Sequence, residues 1–189
     1  MKIIFAQGNP GTRYQNTRHN VGFLALDAFA ASLGATWRES SKFTSLIAET
    51  AIGGEKVLLV KPLSFYNDTG LVARALVDFY KISPATDFLV LHDELALPLG
   101  TVRFRTKGSD AGNNGIKSLN SHLGQNYCRI RIGTWTPLRD ERPDIDFVLS
   151  NFSSDESSLL KEKVVPEAEA LCQGFIAGER EAKSVRVKK

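Results

Sequence analysis

Phe88-Leu89-Val90-Leu91-His92-Asp93-Glu94 is the stretch on which the fold turns. Four apolar residues running straight into polar ones read as a short buried strand. A second such run, Ile3-Ile4-Phe5-Ala6, closes in the turn-rich Gly8-Asn9-Pro10-Gly11. Helical patterns interleave with these strands, which implies an α/β layer architecture. Residues 21–33 place Phe23, Leu26, Ala30 and Leu33 on one helical face, with Gly34 as the stop. Leu71, Val72, Ala75, Leu76 and Phe79 keep amphipathic spacing over 71–79, with Asp68 or Thr69 as the expected cap.

Further out, 45–51 and 56–60 bracket Gly53-Gly54 as a hairpin, and 101–105 and 129–132 alternate as strands buried on one face. A glycine-containing loop over 107–115 leads to a helix over 116–123. The last helical segment starts near 155 and carries Leu160, Val164, Ala168, Leu171 and Phe175 on one face, with Pro166 expected to kink or divide it. The expectation is an α/β fold, a twisted mixed β-sheet flanked by helices, as a single domain over residues 1–189. The tail over 180–189 holds five basic residues and one acidic one with little to pack, so it is expected to be mobile.

With 42% hydrophobic and 24% charged residues, a 189-residue chain can build a core, which excludes wholesale disorder. A net charge of +3 does not by itself mark a nucleic-acid binder. Cys128 and Cys172 stand apart from each other and from any histidine, and read as reduced, buried thiols. The apolar run near the start is too short for a secretory core of about 7–15 residues or a membrane span of about 20. A soluble, cytoplasmic chain with no membrane partner is expected.

Three histidines make the search for chemistry short. His122 has no charged neighbour. His92 precedes Asp93, so on a strand the two side chains point to opposite faces. His19 stands at a helix entrance after a turn, where it is either a capping or surface residue or a base. Asp93 ends a buried strand, where open α/β sheets carry their sites, and the loop after the first strand brings Asn9 and His19 to an equivalent edge. A carboxylate on one imidazole nitrogen fixes the tautomer and raises the basicity of the other; the alternative is that Asp93 caps a turn. Asn9, Asn67, Asn113 and Asn114 offer non-titrating donors and acceptors, with helix capping the alternative for Asn67. Arg103 and Arg105 share one strand face, with Lys107 and Lys117 following: either a phosphate site or a solvated edge strand. No nucleophile elbow, Walker lysine, dinucleotide fingerprint or zinc spacing occurs, so metal-free, cofactor-free chemistry is the simplest expectation.

Gly8-Asn9-Pro10-Gly11-x-x-Tyr14-x-x-Thr17-Arg18-His19-Asn20-Val21-Gly22-Phe23 resembles the N-terminal signature of bacterial-type peptidyl-tRNA hydrolases. Lys61-Pro62-x-x-Phe65-x-Asn67-x-x-Gly70, His92-Asp93-Glu94-Leu95-x-Leu97-Pro98-x-Gly100, Gly112-x-Asn114-Gly115-x-Lys117-Ser118 and Arg129-x-Arg131-Ile132-Gly133 follow in family order. The resemblance covers roughly residues 3–150. It implies a monomeric α/β hydrolase without metal, acting on peptidyl-tRNA to cleave the ester between peptide and terminal ribose. It further implies His19 as general base, Asp93 as the carboxylate orienting it, and Asn67 and Asn114 holding the peptide and water or the tRNA end. Asn9 would tell peptidyl from free aminoacyl substrates, Tyr14 and Phe65 would touch substrate, and Arg103 and Arg105 would face tRNA phosphates.

Three places depart from the family pattern. Ala111-Gly112-Asn113-Asn114-Gly115 stands where Gly-Gly-His-Asn-Gly is usual, Tyr66 replaces a methionine, and Ala6-Gln7-Gly8 replaces Gly-Leu-Gly. Asn113 retains the capacity to donate a hydrogen bond. Two other readings stay open at this point: a non-catalytic RNA-binding protein on the same fold, and an esterase of small esters.

Overall fold

The computed structural model describes residues 1–187. Its strands are β1 (Lys2–Ala6), β2 (Arg38–Ser40), β3 (Ser45–Ile52), β4 (Glu55–Pro62), β5 (Phe88–Pro98), β6 (Thr101–Arg105), β7 (Cys128–Trp135) and β8 (Lys183–Arg186). They form one sheet in the order β2-β3-β4-β1-β5-β7-β6-β8. The four central strands β4, β1, β5 and β7 run parallel, and antiparallel pairs close both ends. The apolar runs fall on two of these, β1 and β5, as expected of parallel strands buried on both sides.

Alternation along β1 divides the core. Ile4 and Ala6 pack with α1 (Val21–Ser32) and, near the C-terminus, α7 (Val165–Ile176). Ile3 and Phe5 pack on the opposite face with α2 (Thr69–Tyr80) and α4 (Asn114–Leu123). Three short helices, α3 (Pro84–Asp87), α5 (Asp144–Val148) and α6 (Ser154–Leu159), complete the set. The result is a single α/β domain with a mixed sheet flanked by helices, as the pattern implied. Cys128 and Cys172 are buried free thiols, and burial pushes both up from their ordinary value.

One local expectation holds and others need correction. The 45–51 and 56–60 hairpin forms, and Gly53 and Gly54 take φ of 58° and 81°, the left-handed pair that a tight two-residue turn requires. Neither expected cap acts on α2: Asp68 occupies the cap position without a side-chain bond, and Thr69 Oγ1 donates to Gln7 Oε1 instead. Helix α4 starts two residues early, at Asn114, because the Asn113 side chain accepts from Ile116 N–H at 3.0 Å. The final helical segment is divided: a π-turn over Leu160–Val164 precedes α7, and Pro166 falls in the first turn of α7, where its missing N–H is harmless.

The tail expected to be mobile is instead taken into the sheet. Residues Lys183–Arg186 pair antiparallel with β6, and Val187 N–H donates to Gly100 O at 2.8 Å. Unpaired edge groups on β6 supply the partners that the tail's own sequence does not reveal. The last two residues of that tail, Lys188 and Lys189, lie outside the described residues. Among the described residues, no helix is long and apolar enough to cross a membrane.

Candidate active site

Because β1 and β5 are parallel neighbours, the chain leaves both at the same edge of the sheet. The turn after β1 carries Asn9, the second of two 3₁₀ turns before α1 (Arg18–Asn20) carries His19, and β5 carries Asp93 past the point where its apolar run ends. His19 Nδ1 lies 2.8 Å from Asp93 Oδ2, with the imidazole 16% exposed and the carboxyl 1% exposed. A carboxylate only accepts, so the proton between them sits on His19 Nδ1 and Nε2 is the nitrogen left for the cleft. Burial pushes the Asp93 carboxyl up. The His19 charge and hydrogen bond, the Tyr66 hydroxyl and the His92 charge outweigh it and hold the group below its ordinary value.

Around this pair opens a cleft of about 590 Å³ whose lining includes Asn9, Tyr14, Phe65, Asn67, Asn113 and Asn114. Asn9 is clamped from two sides. Its backbone exchanges hydrogen bonds with the Asn20 side chain at 2.8 and 2.9 Å, and its Oδ1 accepts from Tyr66 N–H at 2.8 Å. An oxygen facing an N–H fixes the amide's orientation and leaves the –NH₂ group as its other end. Asn67 is no helix cap; it lies in the 3₁₀ turn Tyr66–Asp68, exposed on the cleft wall. Asn114 opens α4 and is likewise exposed there.

Arg18 holds the His19 turn from behind. It is 1% exposed, with its guanidinium over Phe147 at 4.6 Å and Phe152 at 4.9 Å. Its Nη2 donates to both Glu156 oxygens at 2.9 and 2.7 Å, while Glu156 also closes the capping box that starts α6. The motif contains Arg18, but Glu156 lies 138 positions away with no local mark of the contact.

A family model described as peptidyl-tRNA hydrolase matches residues 3–189. The chain belongs to the peptidyl-tRNA hydrolase family. A peptidyl-tRNA hydrolase of Leuconostoc mesenteroides is 44% identical over 157 residues, covering 82% of each chain. One from Listeria welshimeri is 41% identical over 172 residues, covering 90% of this chain and 91% of the relative. The crystal structure of peptidyl-tRNA hydrolase from Acinetobacter baumannii superposes with a TM-score of 0.87 at 32% identity, covering 94% of this chain and 89% of that one. The family match thus runs beyond the roughly 150 residues legible as motifs and includes the C-terminal helices.

In this peptidyl-tRNA hydrolase family member, Phe65 stands 57% exposed at the cleft and Tyr14 lies against Arg13 nearby. Arg103 and Arg105 are not on an edge strand, because β8 covers β6. Arg103 Nε donates to Ser184 Oγ at 3.1 Å and Arg105 Nη1 to Lys183 O at 3.0 Å. They stand opposite Arg131 and Arg129 of β7, on the sheet face away from Val102 and Phe104. Arg129 is buried and holds the loop before α4 through Ser109 O, and Arg131 pairs with Glu94. Among the described residues no group of three His, Cys, Asp or Glu side chains is arranged to hold a metal.

His92 is structural. Its Nδ1 donates to Asp93 O at 2.7 Å, and burial lowers its pKa from 6.5 to about 4. A histidine depressed in the folded state gives stability that is full above about pH 6.5 and is lost as pH falls toward 4. At 1.36 kcal/mol per pH unit, this amounts to about 3 kcal/mol. Urea unfolding between pH 7 and 4 is expected to show His92→Asn losing less stability than the wild type; parallel curves would clear His92 of this effect.

Proposed function

We propose that this chain hydrolyses the ester joining a peptide, or an N-blocked aminoacyl group, to the terminal ribose of tRNA. It thereby returns tRNA from peptidyl-tRNA released in abandoned translation. The observation that carries the reading is the His19–Asp93 pair at 2.8 Å beside the cleft, in a chain of this family.

In this mechanism His19 Nε2 takes a proton from water as the water oxygen bonds to the ester carbonyl carbon. The carbonyl becomes an oxyanion, which side-chain amides aimed into the cleft stabilise as its charge develops. The carbonyl then re-forms, the bond to the ribose oxygen breaks, and His19 returns its proton to that oxygen. Atoms and charges balance with water alone, so the step as written requires neither metal nor cofactor. Asp93 stays ionised and keeps Nδ1 protonated throughout. Asn67 and Asn114 hold the peptide and the attacking water or the tRNA end, and Asn9 tests for the peptide bond next to the ester. Tyr14 and Phe65 offer aromatic surface to the substrate.

Arg103 and Arg105 supply phosphate contacts, so affinity falls as salt rises. The enzyme acts as a monomer in the cytoplasm. Release of N-acetyl-aminoacyl groups from tRNA, measured without added metal, tests the activity directly. Binding of uncharged tRNA without cleavage would make the chain a binding protein on this fold. Strong inhibition by added tRNA separates a tRNA-directed enzyme from an esterase of small esters. Arg103→Ala with Arg105→Ala is expected to raise KM about tenfold near physiological salt and to lower the salt slope by about 1.5 to 2. A fall in kcat at unchanged KM and salt slope would remove both residues from the tRNA face.

A further inference from the structure

Asp93 has two oxygens, and its pairing with His19 uses only Oδ2. Oδ1 receives the Tyr66 hydroxyl at 2.5 Å and Asn113 Nδ2 at 3.3 Å. Asn113 Nδ2 also lies 3.1 Å from Tyr66 Oη, so the two donors touch each other as well as the carboxylate. We propose that Tyr66 and Asn113 form a positioning pair for the reaction, holding Asp93 Oδ1 so that Oδ2 stays on His19. The kinetic part of this inference rests on the hydrolase reading above.

Each half of the pair is itself held. The Tyr66 ring stacks on His19, with centroids 3.5 Å apart and planes 14° apart, so one residue limits both the carboxylate and the imidazole. On its other side the ring meets the first turn of α4: a Cβ on Gly115 would sit 2.2 Å from Tyr66 Cε1. Only glycine leaves that space. Asn113 Oδ1 is committed to Ile116 N–H at the start of α4, which directs Nδ2 to Asp93. The helix cap therefore aims the amide. Burial, followed by the Asp93 charge, pushes the Tyr66 hydroxyl well above its ordinary value, so it remains a donor.

The groups facing the Asp93 carboxylate are thus His19 from before α1, Tyr66 from before α2 and Asn113 from before α4, while His92 and Glu94 are its charged or titratable neighbours along β5. Glu94 is ion-paired with Arg131. A buried carboxylate that lost its Oδ1 donors would be free to turn and would hold its proton more tightly. Tyr66 and Asn113 are also two of the positions at which the motifs depart from the family pattern, and here they bond to one another.

Tyr66→Phe removes the hydroxyl but keeps the ring on His19. Asn113→Ser removes the amide but keeps an oxygen for the α4 cap. Each is expected to lower kcat about tenfold with KM changed less than about twofold, and to displace the acid limb of the pH–rate profile. The double variant should lose less than the product of the two single losses, because both groups act on one oxygen. Proton NMR of the His19 Nδ1 hydrogen gives a readout that needs no substrate: in both variants the resonance should move and exchange faster with water.

Wild-type hydrolysis with wild-type kcat and pH profile in both variants would overturn the pairing and leave the hydrolase reading intact. Reduced kcat with an unmoved His19 resonance would also overturn it. If the wild type itself cleaves no ester, the hydrolase reading fails, and the NMR comparison still decides whether the pair positions Asp93 and His19.

Discussion

His19→Ala is expected to lower kcat for N-acetyl-aminoacyl-tRNA by roughly 100- to 10,000-fold, the range that a positioned general base supplies. Uncharged-tRNA binding should change less than about twofold, because the proposed phosphate contacts come from Arg103 and Arg105 of β6 and not from the imidazole. The substitution leaves the Asp93 carboxylate, 1% exposed, facing a gap on its Oδ2 side while Tyr66 and Asn113 still hold Oδ1. The rate that remains should lose most of the pH dependence that a general base confers. Single-turnover hydrolysis measured beside tRNA binding decides the matter. A variant within threefold of wild type would take the base away from His19.

Asp93→Asn is expected to lower kcat by a comparable factor, roughly 100- to 10,000-fold, although it changes one atom. The carboxylate accepts from His19 on one oxygen and from Tyr66 and Asn113 on the other. An amide has one oxygen to offer. If that oxygen faces His19, the new –NH₂ meets two donors at once. If it faces Tyr66 and Asn113, the –NH₂ confronts His19 Nδ1 and forces the proton to Nε2, which removes the base.

The pH dependence separates this loss from simple titration of the aspartate. The Asp93 carboxyl lies below its ordinary value of 3.8 in the folded protein. The stability tied to that ionisation is therefore full above 3.8 and is lost only as pH falls through the lower folded value. Wild type and variant compared at pH 6 to 8 differ in hydrogen bonding and charge beside His19, not in partial protonation of Asp93. The variant should show a weakened rise of rate with pH near neutrality. An unchanged pH–rate profile would remove Asp93 from its assigned role.

Where sequence and structure part company, the missing information is non-local. The apolar runs of β1 and β5 are legible because burial on both faces leaves no polar alternation. The continuation of β5 through Pro98 is not, since His92, Asp93 and Glu94 read as the end of a strand until β7 pairs with them. Lys183, Ser184, Val185 and Arg186 look like a solvated tail, and only the open edge of β6 turns them into β8. The early start of α4 has a more local cause: the glycine-containing context makes Asn113 look like loop, although an asparagine before a helix is a standard cap.

The α/β class, the buried strands, the family resemblance and the residue types gathered for chemistry are all legible along the chain. Local periodicity and motif spacing encode these within a few residues of one another. Which of these groups meet is set by the folded layers. His19 and Asp93 are 74 positions apart, Tyr66 and Asn113 are 47 apart, and Arg18 and Glu156 are 138 apart. Parallel strand order carries the first pair to one edge of the sheet, and the packing of α4 against the Tyr66 turn closes the second. Hydrogen bonds act over about 3 Å, so their partners are set by how the layers pack and not by distance along the chain.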